Sequence, residues 1–353
     1  MKIQLNLNQL QGFRTFVGMK WLRKLFFPLV PIYYLGALIN KKLFDWNIRK
    51  SKTYDLPIIT VGNLSVGGTG KSPMVAYLID LLQKEIKVAV LSRGYKRKTK
   101  GFQLVTKNST ALEVGDEPLQ FKLNFPKATI AVDAERRNGI EKLIKSSEKP
   151  NAIILDDAFQ HRKVKAGLQL LLTSYDDLYV NDCMLPIGNL REPKSGSERA
   201  NVIIVTKCPE ALNIDQRIKI STSLKVKSYQ NVFFTYIEYD SVVKNKTQSI
   251  SVDEYLKDKF TLVTGIANPK PLVDYLTLKQ VHFKHLSFQD HHNFSKNQIE
   301  KLSKEGRILT TEKDFMRLKN FSLLKGKLFY IPIKSSFIED RRQFEEIILN
   351  YCK

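Results

Sequence analysis

Residues 61–73 read Val-Gly-Asn-Leu-Ser-Val-Gly-Gly-Thr-Gly-Lys-Ser-Pro, a glycine-rich loop between two segments of different composition. Residues 56–61 form a short apolar run rich in β-branched side chains, which is typical of a buried strand. Residues 74–82 follow with the composition of a helix. Strand, glycine-rich loop and helix in this order are typical of a loop that binds phosphate. The sequence therefore predicts a nucleotide triphosphate site at this point of the chain.

The residue types of this loop suit phosphate chemistry. Its glycines lack a Cβ, so their backbone N–H groups can approach phosphate oxygens, and the helix N-terminus adds a favourable dipole. Lys71 would reach the β- and γ-phosphates, and the Ser72 hydroxyl would bind Mg²⁺. Ser65 stands where the usual spacing has the first glycine, and an ordinary glycine turn before a helix is the alternative. The candidate nucleotide-binding residues are Val66, Gly67, Gly68, Thr69, Gly70, Lys71 and Ser72.

A second element of the predicted metal site is an apolar run that ends in two acids. Residues 152–155 read Ala-Ile-Ile-Leu, and Asp156 and Asp157 follow directly. In P-loop proteins a carboxylate at such a strand end helps to hold Mg²⁺ beside the P-loop hydroxyl. Alone, the pattern means a strand that leads into a turn. Together with the Gly-Lys-Ser motif it predicts a metal site formed by Ser72, Asp156 and Asp157.

Two further motifs offer groups for proton transfer. Residues 115–118, Gly-Asp-Glu-Pro, begin a predicted helix, so Asp116 could accept a proton from an attacking hydroxyl. An acidic helix cap is the alternative. Asp290 precedes His291, whose imidazole could work with a carboxylate base across a cleft. The candidate catalytic residues are therefore Asp116, His291 and Lys71. Residues 310–314 have the spacing of a helix N-cap and are assigned to structure.

Candidate substrate-binding residues lie in three loops. The loop 186–193 is bracketed by proline and presents an arginine, which can bind phosphate through two nitrogens, beside a glutamate. A glutamine follows the paired aspartates, where a cap is an equal alternative. A third loop carries an arginine and a tyrosine inside a basic cluster over 93–100. The residues concerned are Arg93, Tyr95, Gln160, Arg191 and Glu192.

The chain of 353 residues is long enough for two domains. Short apolar runs alternate with helical segments, which predicts an α/β fold with a mostly parallel, P-loop NTPase-like sheet. A second, smaller α/β set follows a weakly patterned region. We expect an amino-terminal basic segment over 1–50, a P-loop kinase core over 51–225, and a smaller carboxy-terminal α/β domain over 226–353 that closes the active-site cleft.

The formal net charge of +22 requires an anionic partner or a basic proteome as its explanation. Residues 1–53 hold ten Lys and Arg against one acid, Asp45. Residues 25–40 carry no charge, span roughly 24 Å as a helix and contain Pro28 and Pro31, which would interrupt it. This is short of the ~30 Å hydrocarbon core, so we expect a helical segment that lies at the surface of an anionic membrane. A buried amphipathic helix with a basic rim is the alternative.

In their order and spacing these motifs resemble the tetraacyldisaccharide 4'-kinase family, the lipid A 4'-kinases of Gram-negative envelope synthesis, over nearly the whole chain. Two departures are visible, Ala158 where the family usually has glycine and Ser72 in place of the commoner threonine. The matching segments are residues 61–73, 91–98, 115–118, 155–161, 185–193, 265–269, 290–291 and 311–314.

This resemblance implies that the γ-phosphoryl group of ATP is transferred to the 4'-hydroxyl of a lipid A disaccharide 1-phosphate. It implies Mg²⁺ as cofactor, anionic inner-membrane lipids as partners, and a peripheral or monotopic place at the cytoplasmic face of the bacterial inner membrane. It also supports Asp116 as general base with His291 orienting it. The main alternative is a P-loop NTPase that hydrolyses nucleotide to drive a partner, with nucleic acid as one candidate partner given the charge. The apolar, proline-containing segment suits a phosphate backbone poorly, so no nucleic acid is expected. A membrane adaptor that merely binds nucleotide is the third hypothesis.

Overall fold

A computed structural model describes residues 27–353, which form two sheets covered by helices. The basic arm up to residue 26, including the first two residues of the predicted membrane segment, lies outside the described part of the chain. The larger sheet has nine strands in the order β15-β8-β7-β6-β1-β5-β2-β4-β3. They are β1 (Ile58–Asn63), β2 (Val88–Ser92), β3 (Gln103–Leu104), β4 (Thr129–Val132), β5 (Ala152–Asp156), β6 (Leu168–Ser174), β7 (Val202–Thr206), β8 (Asn231–Tyr239) and β15 (Ile333–Phe337).

The larger sheet is parallel except at its two edges, where β3 and β15 run antiparallel to their neighbours. In β1 the pairing joins Ile59 to Ile154 of β5 and to Leu168 of β6. Every residue of β1, β2, β5 and β7 is buried. Continuous apolar runs of this kind are expected for strands covered by helices on both faces. The carboxyl ends of these strands meet at one edge, where the phosphate loop begins.

Residues 27–353 contain eleven α-helices. They are α1 (Val30–Asp45), α2 (Lys71–Leu82), α3 (Ala111–Val114), α4 (Asp116–Asn124), α5 (Arg136–Ile144), α6 (Ile214–Ser223), α7 (Val252–Tyr255), α8 (Lys270–Leu278), α9 (Lys296–Ser303), α10 (Glu312–Leu318) and α11 (Arg341–Cys352). Four turns of 3₁₀ helix add Phe27–Leu29, Tyr179–Asn181, Lys194–Arg199 and Ser322–Leu324.

Helices cover both faces of the larger sheet. On one face Met74 and Leu78 of α2 and Phe344 of α11 pack with Ile59 in a common core. On the other face α5 packs over β2 and β5, and α1 and α6 lie over β6 and β7. The fold class predicted from the sequence, a mostly parallel P-loop-type sheet followed by a smaller α/β unit, is confirmed.

The smaller sheet has six strands in the order β10-β9-β14-β13-β11-β12. They are β9 (Val242–Lys244), β10 (Ser249–Ser251), β11 (Phe260–Thr264), β12 (Phe283–Ser287), β13 (Arg307–Thr311) and β14 (Leu328–Ile331). Strands β11 to β14 are parallel to their neighbours, and β9 and β10 form an antiparallel edge. Helix α4 joins the two units, since its Leu123 packs against the cores of both sheets.

The chain returns to the larger sheet at its end. Strands β8 and β15 pair with each other in that sheet, and α11 packs against its core. The boundary between the sheets therefore does not coincide with residue 225, the predicted domain boundary, and the division into domains stays a prediction.

Helix α1 begins after a 3₁₀ turn, so both prolines lie where a helix tolerates them. Pro28 lies in the 3₁₀ turn and Pro31 in the first turn of α1, where a backbone N–H has no helical partner to lose. The expectation that Pro31 interrupts the helix is therefore wrong, whereas Pro28 lies before the helix begins. In residues 27–353 no helix has both the length and the apolar character needed to cross a membrane.

Candidate functional site

The glycine-rich loop connects β1 to α2 and contains two glycines with positive φ. Gly67 has φ 114° and Gly70 has φ 82°, and Gly70 is the N-cap of α2. A Cβ added at Gly70 would lie 3.3 Å from the Thr206 Cβ at the end of β7. Glycine is needed there because the backbone conformation and the close neighbour both disfavour a side chain. Glycine at position 70 is therefore a structural requirement of this loop.

The rest of the loop is held by its neighbours. The Val66 N–H donates to the Asn189 carbonyl over 2.8 Å, and the Thr206 hydroxyl donates to the Thr69 carbonyl over 2.8 Å. The Lys207 ammonium donates to the Gly68 carbonyl. Lys207 follows directly from β7 and was not predicted from the sequence.

Lys71, the first residue of α2, lies beside one of the two predicted aspartates. Its Nζ is 3.5 Å from Asp157 Oδ1 and 3.3 Å from Asn63 Oδ1. Arg191 Nη2 reaches the same two residues, at 3.2 Å from Asp157 Oδ1 and 2.6 Å from Asn63 Oδ1. Burial alone would raise the pKa of Asp157, but Lys71 and Arg191 outweigh it and hold this pKa below its usual value. Asn63 lies inside the quoted motif, yet its linking role was missed.

The second aspartate has a different environment. Asp156 is 2% exposed and accepts a hydrogen bond from the Ser92 hydroxyl over 2.9 Å. The guanidinium of the fully buried Arg136 donates to the Asp156 carbonyl over 3.2 Å. Burial raises the pKa of the Asp156 carboxyl, and the negative charges of Glu117 and Asp157 raise it further. Two adjacent carboxylates, Asp156 with a raised pKa and Asp157 with a lowered pKa, thus lie at the end of β5.

Ser72 connects the loop to α4. Its hydroxyl donates to Glu117 Oε1 over 2.6 Å, and Glu117 also accepts from the Lys313 ammonium. The donor set of Ser72, Asp156 and Asp157 consists of hard oxygen ligands, which fits Mg²⁺. Among residues 27–353 no group of three or more His, Cys, Asp or Glu side chains converges as a metal site. This set suits an ion that takes its other ligands from phosphates and water rather than from a protein cage.

The two residues predicted for proton transfer do meet across the two units. Asp116 is the first residue of α4 and is 6% exposed. Its Oδ2 lies 3.1 Å from His291 Nδ1 and contacts Arg317 Nη2. Burial alone would raise the pKa of Asp116, but the His291 hydrogen bond and the Arg317 charge hold this pKa well below its usual range. Asp290, predicted to position His291, is 3.9 Å from its Nε2, so Asp116 and Arg317 are the closer partners.

Arg317 contacts both members of this pair. Its Nη1 donates to Asp314 Oδ1 over 2.8 Å and to the Gly265 carbonyl over 3.1 Å, and its Nη2 lies 3.0 Å from His291 Nδ1. Thr311 does cap α10, as expected, because its hydroxyl accepts from the Asp314 N–H over 3.2 Å. The assignment of residues 310–314 to structure alone is incomplete, since Lys313 reaches the site, as does Arg317 one helical turn further on.

Comparison with known proteins shows the family of this chain. Residues 22–353 match the family model described as tetraacyldisaccharide-1-P 4'-kinase. The chain belongs to this 4'-kinase family. It is similar to the tetraacyldisaccharide 4'-kinase of Flavobacterium johnsoniae, with 50% identity over 95% of this chain and 98% of that one. The enzyme of the same name from Porphyromonas gingivalis is 37% identical over 92% and 94% of the two chains. The predicted identity as a lipid A 4'-kinase is confirmed.

A solved structure of the same family has the same fold. The crystal structure of LpxK from Aquifex aeolicus in complex with ATP has a TM-score of 0.75 and 28% sequence identity to this chain. The likeness covers 94% of this chain and all of that one. The smaller unit and the larger sheet therefore recur together in a 4'-kinase.

One departure from the family pattern has a simple explanation here. The residue with left-handed backbone conformation in this turn is Asp157, with φ 46°, whereas Ala158 is outside the set of positive-φ residues and is buried at 4% exposure. Alanine is tolerated at position 158 because the residue with positive φ in this turn is Asp157.

The predicted substrate-binding residues divide into two groups. Gln160, Arg191 and Glu192 line a cavity of about 390 Å³ that α1 covers with Tyr33 and Lys41. The second group lies on the loop after β2: Arg93 is exposed there, and the Tyr95 ring meets the His291 ring edge-on with centroids 5.2 Å apart.

Gln160 and Glu192 are held together inside the cavity wall. Gln160 Nε2 donates to Glu192 Oε1 over 2.9 Å, and Arg199 pairs with Glu192 Oε2 at 2.8 Å. The Tyr33 hydroxyl donates to the Arg191 carbonyl over 3.1 Å. The cavity therefore joins the amino-terminal helix to the loop that contacts Asp157.

Proposed function

We propose that this protein transfers the γ-phosphoryl group of ATP to the 4'-hydroxyl of a tetraacyldisaccharide 1-phosphate, with Mg²⁺ as cofactor. The observation that carries the proposal is that two adjacent residues, Asp116 and Glu117, connect the candidate base to the phosphate loop. Asp116 meets His291, while the next residue, Glu117, accepts the hydroxyl of Ser72. A sugar hydroxyl at Asp116 would therefore lie beside a phosphate bound in the loop.

Phosphoryl transfer depends mainly on positioning and charge, because little covalent chemistry falls to the protein. The loop amides and Lys71 hold the phosphates. Ser72, Asp156 and Asp157 would hold Mg²⁺, which supplies positive charge to the phosphate oxygens. Asp116 accepts the hydrogen bond of the 4'-hydroxyl and takes its proton as the new P–O bond forms. His291 and Arg317 fix the direction of this carboxylate.

The acceptor sugar and its acyl chains would enter through the cavity beneath α1. Its lining offers Gln160, Arg191 and Glu192 for the polar headgroup, and Arg93 and Tyr95 lie on the side of His291. The relative from Aquifex aeolicus was solved with ATP, which supports ATP as donor.

The test uses radiolabelled ATP and a purified tetraacyldisaccharide 1-phosphate, with lipid products separated by chromatography. We expect label in a lipid that carries a second phosphate. A protein that released free phosphate at the same rate with or without lipid would instead be a P-loop NTPase. One that did neither would be an adaptor.

We further propose that α1 places the enzyme on the cytoplasmic face of the inner membrane as a peripheral protein. Ile32, Leu35 and Ile39 are spaced three and four residues apart on one face of α1 and are 69%, 56% and 49% exposed. Tyr33 and Lys41 lie on the cavity side. Apolar burial and about 1 kcal/mol per nearby Lys or Arg on anionic lipid would hold the helix at the interface.

Replacing Ile32, Leu35 and Ile39 together by Gln should release the protein from anionic vesicles in a cosedimentation assay while leaving its thermal unfolding unchanged. The matched control makes the same change to Gln at Ile214 and Ile218 of α6, which are similarly exposed at 61% and 57%. If the α1 variant still sediments with vesicles at high salt, the membrane anchor lies elsewhere.

A further inference from the structure

Lys313 belongs to the smaller unit and places a positive charge near the phosphate loop. It lies in the first turn of α10, which follows β13 of the smaller sheet. Its ammonium pairs with Glu117 Oε1, and the same oxygen accepts the Ser72 hydroxyl over 2.6 Å. One carboxylate oxygen of Glu117 therefore connects the Lys313 ammonium to the Ser72 hydroxyl, which is a candidate Mg²⁺ ligand.

The surroundings of Lys313 keep it charged. Burial alone would lower its pKa, but Glu117, Asp116 and Asp156 outweigh this, so the pKa lies above its usual value. Its side chain as a whole is 31% exposed, so Lys313 is not part of the apolar core. The carboxylates that hold it are the same groups that lie around the phosphate loop.

Three lysines converge on this loop from different elements. Lys71 comes from α2, and Lys207 follows β7 and donates to the Gly68 carbonyl. Burial lowers the pKa of Lys207, and the nearby charges of Lys313 and Lys71 lower it further. Glu117 and Asp157 pair with Lys313 and Lys71, and three lysines grouped at one loop also favour the binding of an anion of high charge. A triphosphate supplies such an anion.

The packing of α10 against α4 does not depend on Lys313 alone. The Glu312 carboxylate accepts from Gln120 Nε2 over 2.8 Å and from Asn124 Nδ2 over 2.6 Å, one and two turns further along α4. This neighbouring contact joins the two helices away from the loop. It gives a control in which the interface is weakened and the charge at the phosphate loop is kept.

We propose that Lys313 is a catalytic residue of the phosphoryl transfer, an inference that rests on the proposed function. With nucleotide bound, its ammonium contacts the oxygens of the γ-phosphoryl group and stabilises the charge that develops there. The bond from the γ-phosphorus to the bridging oxygen of ADP breaks, the bond to the 4'-oxygen forms, and the hydroxyl proton passes to Asp116. Lys313 keeps its proton throughout. The smaller unit thus supplies a charge to the reaction as well as His291.

The experiment compares Lys313→Met, Lys313→Arg and the control Glu312→Gln in full-length protein. For each we measure kcat, the Kd of ADP, and the Kd of ADP with aluminium fluoride, which mimics the transferring group. We expect Lys313→Met to lower kcat and the affinity for ADP–aluminium fluoride by ~10²-fold each, since a single preorganised charge has this effect. The Kd of ADP should change by less than about 3-fold, because ADP lacks the transferring group. Lys313→Arg should recover part of both losses, and Glu312→Gln should show neither.

Two outcomes would overturn the role of Lys313 while the wild type transfers phosphate normally. One is a kcat for Lys313→Met within about 3-fold of wild type, against the ~10²-fold expected for a charge on the transferring group. The other is an equal loss of affinity for ADP and for ADP–aluminium fluoride, which would mean that Lys313 only positions Glu117. Lys313→Gln replaces Lys313→Met if circular dichroism shows the latter unfolded. A wild-type protein that transferred nothing would overturn the proposed function itself.

Discussion

The two sides of the site are built in different ways. Lys71 and Ser72 come from one continuous motif whose geometry is set by a strand end, two glycines and a helix start. On the other side Asp116 meets Arg317 across 201 positions of the chain, and Glu117 meets Lys313 across 196. The first side is a local structure, whereas the second exists only while α4 packs against α10. Function therefore depends on a motif and on an interface, and the two can be separated by mutation.

The largest effect should come from the local side. Lys71→Ala removes the ammonium at the phosphates, and we expect turnover to fall by ~10³-fold or more, because charge neutralisation is the protein's main contribution to this reaction. Steady-state assays with radiolabelled ATP measure this. Thermal unfolding should stay close to wild type, since the Lys71 side chain lies on the cleft and not in the core. Near-normal turnover in a folded variant would mean that the loop does not bind the triphosphate.

The interface side is tested by a double-mutant cycle on Asp116 and His291. We expect Asp116→Ala to lower turnover by ~10²-fold or more, with nucleotide binding intact. The double variant should be little worse than Asp116→Ala alone, because residues that act as a unit lose activity together. A helix cap would behave in the opposite way, with a stability loss of ~1 kcal/mol and turnover retained. Fully multiplicative losses would assign His291 an independent task.

The difference between the sides also explains what could be predicted from the sequence. The loop, its strand and its helix follow from a contiguous pattern, and Asp116 and His291 were candidates from their motifs, with added support from the family resemblance. Arg317 and Lys313 were missed, since Arg317 lies outside the motifs and Lys313 lies in the segment 311–314, which was assigned to structure. Their spacing of four residues on one helix face was the available signal. It becomes informative only once α10 is known to lie against α4, which local sequence does not specify.

A smaller effect, with a pH signature, is expected at Arg317. The depressed pKa of Asp116 means that this carboxylate is ionised throughout the neutral range in wild type. Arg317→Met removes one cause of the depression, so the pKa of Asp116 should rise. Turnover should fall ~10-fold near neutral pH, as for loss of one charge-assisted hydrogen bond, and an acidic limb absent from wild type should appear in the pH profile.

The control for this prediction is Arg307→Met, which breaks an ion pair with Asp258 at 2.9 Å on the same smaller unit. Its pH profile should match wild type, because neither residue approaches Asp116. If Arg317→Met lowered kcat equally at every pH, the arginine would act on the packing of α10 and not on the carboxylate.

The smallest effect is expected at Tyr95, where two roles can be told apart. The sequence places Tyr95 among the substrate-binding residues, whereas the structure places its ring edge-on to His291 at 5.2 Å, with 56% of the residue exposed. An aromatic pair of this kind contributes ~0.5–1.5 kcal/mol, which corresponds to a change of about 2- to 10-fold. If Tyr95 serves to orient His291, Tyr95→Leu should lower kcat by this factor with little change in KM, and Tyr95→Phe should match wild type because the ring contact remains. If its hydroxyl binds the sugar instead, Tyr95→Phe should raise KM for the lipid as much as Tyr95→Leu does. The first outcome would make Tyr95, from the loop after β2, a residue that orients His291 on the interface side of the site. The second outcome would make Tyr95 a substrate-binding residue.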